Sequence, residues 1–158
     1  TGDLSAPLYT LSEAVERLRA ARAAINATGE KVMLTARSEA ILRQSGGLAE
    51  ALRRLAVYAE AGADVLYAPG LRTSEEVAEV VRVAGELPVN VLVGWPGFTK
   101  HELEDLGVKR ISTGGALASA AWGGLMRAAK DIAENGRFDA LAGLPSRKEI
   151  EGAFGANR

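Results

Sequence analysis

The chain has no cysteine, only one histidine and almost no net charge, and each of these features excludes a class of function. Without cysteine it can have neither a disulfide framework, nor a thiolate metal site, nor a cysteine nucleophile. The single histidine, His101, follows Lys100 in a polar stretch, so we expect it at the surface and not in a catalytic triad or zinc site. The 19 basic and 20 acidic residues leave a net charge of -1, which argues against binding to nucleic acid or an anionic membrane surface.

Long apolar runs are also lacking. The longest, residues 89–93 and 116–122, are far shorter than the roughly 18 to 20 residues that cross a bilayer. We therefore expect no membrane segment, and the lack of cysteine fits a cytoplasmic protein. The chain opens at Thr1 without a methionine or an apolar signal segment, so we expect sequence upstream of it. The length of 158 residues predicts a single domain, residues 1–158.

Short apolar strands alternate with helices along the whole chain. The strands are rich in Val, Ile and Leu, which is typical of strands buried on both faces of a parallel sheet. Strands are predicted at 31–35, 64–68, 88–93 and 108–113. Helices are predicted at 11–25, 48–61, 73–85, 99–107 and 116–135, with a short one from Ser146. In the second helix, Arg53 and Arg54 are predicted on the polar face.

This alternation predicts an α/β fold with a parallel sheet and right-handed crossovers. A doubly wound sheet of four strands and part of a (β/α)8 barrel both fit it, since a complete barrel needs roughly 200 to 250 residues. Each strand ends in a polar or glycine-bearing turn, and these turns lie on the same side of the sheet, which favours the barrel. The turns are residues 37–39, 69–70, 94–97 and 114–115.

Four sequence strings carry a resemblance to a known family. They are TARSEA at 35–40, YAEAGADVLYAPG at 58–70, PVNVLV at 88–93 and LGVKRISTGGAL at 106–117. In order and spacing they resemble the isocitrate lyase / phosphoenolpyruvate mutase superfamily, with its carboxyvinyl-carboxyphosphonate phosphorylmutase-like and methylisocitrate lyase-like members. The resemblance runs from Thr1 to about Phe138.

The resemblance implies a (β/α)8 TIM-type barrel, of which this chain supplies about the second half: four strand-helix units plus C-terminal helices at 116–158. It implies a Mg²⁺-dependent lyase or mutase that acts on a small 2-oxo or 2-hydroxy carboxylic acid and breaks a carbon-carbon or carbon-phosphorus bond through an enolate. The family's metal-binding aspartates and gating loop precede the position of Thr1. We therefore expect no metal ligand in this chain and no activity from it alone.

Arg37 is the main candidate site residue. A guanidinium at a strand end can bind a carboxylate or phosphonate with two parallel hydrogen bonds, and the resemblance assigns Arg37 to substrate binding and catalysis. The alternative is an ion pair with Glu39, which could itself orient Arg37 or reach the metal shell through water. Asn90, polar in mid-strand, is a candidate for substrate binding or for hydrogen bonding within the core.

Three glycines in the strand-end turns are further candidates for substrate binding. Gly94, Gly114 and Gly115 could present backbone N–H groups to an anion, although close packing also needs glycine there. Tyr67 is expected to pack. Residues 67–70 read YAPG, where mutase-like members carry a histidine and methylisocitrate lyase-like members a glutamate, and Gly115 stands where decarboxylase-like members have a histidine.

These departures leave the reaction open and raise an alternative function, a non-catalytic barrel relative or assembly module that has lost the chemistry. The last long helix carries Trp122, Leu125 and Met126. Family members exchange their last helices within tetramers, so the resemblance implies a homo-oligomer, a dimer or tetramer of the complete protein. The apolar helix is typical of a subunit interface, or of packing on its own barrel.

Overall fold

The computed structural model describes residues 1–155 of the chain. The chain divides into two compact units, Thr1–Gly114 and Gly115–Arg158, the second described as far as residue 155. The boundary falls one residue before the predicted C-terminal helical part, residues 116–158. That residues 1–158 form a single domain stays a prediction.

The first unit contains a parallel sheet of four strands in the order β1-β2-β3-β4. This confirms the predicted α/β fold with a parallel sheet. The strands are β1 Thr35–Arg37, β2 Val65–Tyr67, β3 Val89–Leu92 and β4 Arg110–Ser112. The helices of this unit are α1 Leu11–Thr28, α2 Gly47–Glu60, α3 Ser74–Ala84 and α4 Lys100–Asp105.

Helix starts are set by capping boxes, in which a hydroxyl side chain and a glutamate three residues later satisfy each other's backbone N–H groups. The predicted box of Thr73 with Glu76 is present at α3. Equivalent pairs begin α1, with Thr10 and Glu13, and α4, with Thr99 and Glu102. These caps set the residue at which each helix begins. The caps at Thr73 and Thr99 therefore set where the loops after β2 and β3 end.

The core lies between one face of the sheet and helices α2 and α3. Its fully buried side chains come from both layers: Leu55, Leu66, Val77, Val80 and Val91. Burying a side chain of this size stabilises the fold by about 1.5–3 kcal/mol. Because side chains alternate along a strand, the apolar residues fill the helix-covered face and the residues between them point to the opposite face.

The first strand differs from its prediction. A strand is predicted at 31–35, but β1 begins only at Thr35, the last residue of that range. Val32 and Met33 precede it and are 52% and 64% exposed. The backbone oxygen of Leu34 instead accepts the N–H groups of both Asp64 and Val65 at the start of β2, a contact between residues far apart in the chain. The other three strands lie within their predicted ranges.

The second unit is helical. Helix α5, Ala116–Asn135, has the predicted bounds and ends at Gly136, which adopts φ 65°. A 3-10 turn, Asp139–Leu141, and α6, Arg147–Gly155, follow. No helix within residues 1–155 combines the length and the apolar character needed to cross a membrane.

Candidate functional site

Parallel pairing of the strands brings two of the predicted site residues, Arg37 and Asn90, into one lateral row with Tyr67 and Arg110. Register pairs Arg37 with Tyr67, Tyr67 with Asn90, and Asn90 with Arg110. Laterally paired residues of a parallel sheet point to the same face, here the face opposite the α2–α3 layer. The row lies at the carboxyl ends of β1 and β2, the side on which open α/β sheets and barrels bind ligands, and crosses β3 and β4 nearer their starts.

Arg37 ends β1 with its side chain 48% exposed. Its Nε donates a hydrogen bond to Oε1 of Glu39, and its guanidinium carbon lies 5.1 Å from the centre of the Tyr67 ring. The predicted ion pair with Glu39 is thus present. It engages one edge of the guanidinium, and within residues 1–155 the Nη groups have no hydrogen-bond acceptor. Those groups can still bind an anion with two parallel hydrogen bonds.

Glu39 lies between two arginines. While Oε1 accepts from Arg37, Oε2 lies 3.4 Å from Nε of Arg43. Two cations therefore hold this carboxylate in place, and Glu39 holds Arg37 in turn. This arrangement matches the predicted orienting role more directly than a contact with a metal shell.

Asn90, a member of this row, is only 1% exposed. Its Nδ2 donates to Oγ of Ser112 at 3.0 Å, whereas its Oδ1 has no hydrogen-bond partner within residues 1–155. Oγ of Ser38, the residue after Arg37, is buried and likewise has no partner in the described part of the chain. A buried acceptor without a donor is uncommon in native proteins and marks a place where a further group is expected.

The structure gives different local explanations for the glycines in the strand-end turns. A Cβ on Gly114 would lie 3.3 Å from Cδ1 of Leu92, and Gly114 has φ +54°, so both packing and backbone conformation require glycine. A Cβ on Gly94 would meet only the Thr113 oxygen, at 3.9 Å, and Gly115 has open space around it as the N-cap of α5. His101 lies at the surface, 3.3 Å from Glu104.

A cavity of about 240 Å³ adjoins the end of β1. Arg37 and Glu39 line it together with residues of the N-terminal segment and of α2, among them Tyr9, Arg54 and Tyr58. Its size suits a small organic acid, and the Nη groups of Arg37 are hydrogen-bond donors that an anion in it could use.

Arg54 is a buried residue that helical periodicity wrongly assigns to the polar face. Its side chain is 8% exposed and donates from Nε to Glu50 at 2.6 Å, from Nη1 to the Tyr58 hydroxyl at 3.3 Å and from Nη2 to the Tyr9 oxygen at 2.9 Å. Burial disfavours its charge, but the hydrogen bonds with Tyr58 and Glu50 raise the pKa of Arg54. The network fastens the N-terminal segment to α2 and forms one wall of the cavity.

The donor set does not fit a metal ion held by this chain alone. Within residues 1–155, no group of three or more His, Asp or Glu side chains could hold one. Glu39 is the carboxylate beside Arg37, and two arginines already engage it.

Comparisons with known proteins match this chain to one family and to solved structures with a similar fold. The family model for phosphoenolpyruvate phosphomutase matches residues 1–133. An uncharacterised protein of Mycobacterium tuberculosis H37Rv is 34% identical over 112 residues, which are 70% of this chain and 43% of the relative. A Burkholderia cenocepacia J2315 structure, provisionally described as a lyase/mutase, is 42% identical with a TM-score of 0.91 over 99% of this chain and 57% of its own.

A second Burkholderia cenocepacia J2315 structure is provisionally described as a phosphonomutase. It is 33% identical to this chain, with a TM-score of 0.70, and the match covers 78% of this chain and 52% of the other. The chain therefore spans about half the length of the proteins that it matches.

Proposed function

Because this chain belongs to the phosphoenolpyruvate phosphomutase family, as its resemblance to the isocitrate lyase / phosphoenolpyruvate mutase superfamily indicates, we propose that the complete protein is a lyase or mutase acting on a small 2-oxo or 2-hydroxy acid. The reaction would break a carbon-carbon or carbon-phosphorus bond through an enolate. One observation carries the proposal: Arg37 ends β1 beside Tyr67, with its Nη groups available to an anion.

We propose that the four-stranded sheet is the second half of a (β/α)8 barrel. Its order leaves β1 and β4 at open edges, and the row of Arg37, Tyr67 and Asn90 lies on the face that a barrel would enclose. Eight strands close such a barrel, so four strands need a further half. A cytoplasmic location of the complete protein is part of the same proposal.

In this proposal Arg37 binds the substrate's carboxylate or phosphonate with its two Nη groups. The bound acid then places its reacting bond over the row, where the positive charge of Arg37 favours the negative charge that develops on the enolate. Glu39 and the Tyr67 ring hold the guanidinium plane, so that little reorganisation accompanies the reaction. The role of Arg37 is electrostatic and does not require it to lose a proton.

The other predicted site residues have supporting roles in the proposal. Asn90 keeps Ser112 oriented and offers its unpaired Oδ1 to a donor that enters the row. Gly94 is proposed to bind the substrate through its backbone, since a Cβ there would meet the Thr113 oxygen only at an ordinary contact distance of 3.9 Å and close packing does not require glycine. Gly114 and Gly115 offer backbone N–H groups to an anion, a role that stays a prediction.

The resemblance implies Mg²⁺ as cofactor, and we propose that residues outside this chain bind it. The described residues do not fit that ion, because no group of three or more His, Asp or Glu side chains within residues 1–155 could hold it. In this proposal, this chain supplies the residues that bind the anionic substrate, and the rest of the complete protein supplies the metal ligands.

We also propose that the complete protein is a homo-oligomer assembled through the second unit. Helix α5 exposes large apolar side chains, a composition that favours interface cores. They are Leu117, Trp122, Leu125 and Met126.

The decisive test compares Arg37→Ala with Arg43→Ala in the full-length protein. Both arginines contact Glu39 and are about half exposed, so the pair separates substrate binding from loss of charge. Oxalate binding and turnover of 2-oxo and 2-hydroxy acids and phosphonates, measured with Mg²⁺, should fall about 10- to 100-fold in R37A, the effect of a charged hydrogen bond. In R43A, which removes only one of the two contacts that hold Glu39, they should fall less than in R37A.

Unchanged oxalate affinity in R37A would show that Arg37 does not bind the substrate. A folded parent protein that turns over none of these acids would favour the alternative, a non-catalytic barrel relative or assembly module.

A further inference from the structure

Arg72 and Trp95 form a second arginine-aromatic stack on the same edge of the sheet. The guanidinium carbon of Arg72 lies 3.7 Å from the centre of the Trp95 ring. Arg72 follows β2 and Trp95 follows β3, each five residues beyond a member of the register pair Tyr67 and Asn90. β2 ends at Tyr67 and β3 ends at Leu92, two residues beyond the partner of Tyr67, and the stack joins the loops that follow them.

The backbone under Arg72 is fixed. Its N–H donates to Oε2 of Glu76 at 2.6 Å, within the capping box of α3, and the preceding Leu71 is 2% exposed. Gly70 packs against Ile41, of the loop after β1, so tightly that a Cβ would lie 2.7 Å from Cγ2 of Ile41. The loops after β1, β2 and β3 thus form one continuous rim.

The guanidinium of Arg72 is presented for a ligand in the same manner as that of Arg37. Each lies over an aromatic ring of the next strand or its loop, Arg37 over Tyr67 and Arg72 over Trp95. Arg72 is exposed and makes no ion pair with residues 1–155. Stacking restricts the plane of a guanidinium and leaves its N–H edges available, which is the geometry that binds carboxylates and phosphonates.

We propose that Arg72, held on Trp95, is a specificity-determining residue that binds a second anionic group of the substrate. The proposal rests on the function proposed above, in which Arg37 binds the first group. The preferred ligand is then a 2-oxo or 2-hydroxy acid with a carboxylate or phosphonate at its far end, and the monoanionic analogue binds more weakly.

The test uses matched ligand pairs that differ in the second anionic group: lactate and malate, pyruvate and oxaloacetate, and pyruvate and phosphonopyruvate. Affinities are measured by calorimetry on the full-length protein at fixed ionic strength, for the parent, Arg72→Gln and Arg72→Lys. In R72Q the affinity for the dianions should fall about tenfold, the effect of one charge-assisted hydrogen bond, with the monoanions unchanged. R72K should retain part of the preference. Arg82→Gln, an exposed arginine near the end of α3, is the charge-matched control and should keep all of it.

A spectroscopic measurement gives an independent readout. The chain has two tryptophans, so Trp122→Phe leaves Trp95 as its sole indole, and upstream tryptophans can be replaced in the same background. Malate should change the emission of Trp95 in this background and lactate should not, and R72Q should abolish the difference.

Equal preference for dianions in R72Q and the parent would overturn the role of Arg72 while leaving that of Arg37 intact. If the parent protein binds none of these ligands, both proposals are overturned. The two failures are distinguishable, since in the first case ligands bind and lose affinity in R37A.

Discussion

Asp64 binds Arg22 across the amino-terminal side of the sheet, opposite the edge that carries the candidate site. The guanidinium Nη2 of Arg22 donates to Oδ2 of Asp64, and its Nε donates to the Gly62 oxygen at 2.9 Å. The same Oδ2 accepts the backbone N–H of Leu34 at 2.6 Å. One carboxylate therefore joins α1, the residue before β1 and the turn before β2, which makes it a stabilising element and not a catalytic one.

Asp64→Asn should lower the free energy of unfolding in a pH-dependent way. The Leu34 N–H and then Arg22 lower the pKa of Asp64 in the folded state. A lowered folded-state pKa stabilises the fold above the unfolded-state pKa, near 4, and this contribution is lost as pH falls through the folded-state value. Because Asp64 is about a third exposed, we expect a loss of only about 1 kcal/mol at pH 7.

Urea unfolding of the full-length protein at pH 3.5 to 7.5 measures this loss. The parent and D64N should differ by a constant amount above about pH 5 and converge below about pH 4. Asp105→Asn, which changes an exposed carboxylate at the end of α4, is the control and should show no such convergence. A D64N effect independent of pH would contradict the assigned cause.

Arg54 and Arg53 offer a matched pair for testing the buried network. Both hydrogen-bond to Glu50, but Arg54 is 8% exposed and Arg53 is 56% exposed. Arg54→Met leaves the Tyr9 oxygen and part of the Glu50 carboxylate without a donor, so we expect a loss of about 3 kcal/mol. Arg53→Met should cost less than about 1 kcal/mol. Thermal and urea unfolding measure both, and equal losses would show that burial does not decide the effect.

The same two positions show where sequence reasoning succeeds and where it fails. Periodicity predicts that α2 exists and which apolar side chains it buries, because the helix-covered face of the sheet demands them. It cannot predict that Arg54 turns inward, since that depends on Tyr9, 45 residues away in the chain. The displaced first strand has a similar origin, because Asp64 and Val65 bind Leu34 before pairing begins.

The candidate site divides in the same way. Arg37, Glu39 and Asn90 could be selected from the sequence because they are polar residues in or just after apolar strands. The register that places Arg37, Tyr67 and Asn90 side by side could not be predicted from the sequence. The stack of Arg72 on Trp95 joins two loops. It could not be predicted from the sequence, because the register that aligns the strands before these loops is known only from the structure.

The apolar surface of α5 predicts the assembly of the complete protein. Trp122 and Met126, 63% and 67% exposed, are one helical turn apart on the same face. The double variant Trp122→Glu, Met126→Glu should shift the full-length protein from a dimer or tetramer to smaller species in sedimentation velocity. Leu4→Glu, at an 86% exposed position of the first unit, is the control. A monomeric parent would contradict the proposal.

Gly70 should be among the least replaceable residues of the rim, because two independent effects act on an added Cβ. Its φ of +107° is strained for any L side chain, and the Cβ would meet Cγ2 of Ile41 at 2.7 Å. We expect Gly70→Ala to lower stability by about 3 kcal/mol. Gly29→Ala is the comparison, since Gly29 is in the left-handed helical region with φ +71° and open space, so only the backbone cost of about 1 kcal/mol applies.

Combining Gly70→Ala with Ile41→Ala separates the two effects. Ile41→Ala removes the atom that the new Cβ would meet, so the double variant should be more stable than the sum of the single losses predicts, by about 1 to 2 kcal/mol. Full additivity would mean that backbone conformation alone requires glycine. A coupling would show that the loops after β1 and β2 are packed as one body, and the anion affinity of the double variant would then report how far Arg72 depends on that packing.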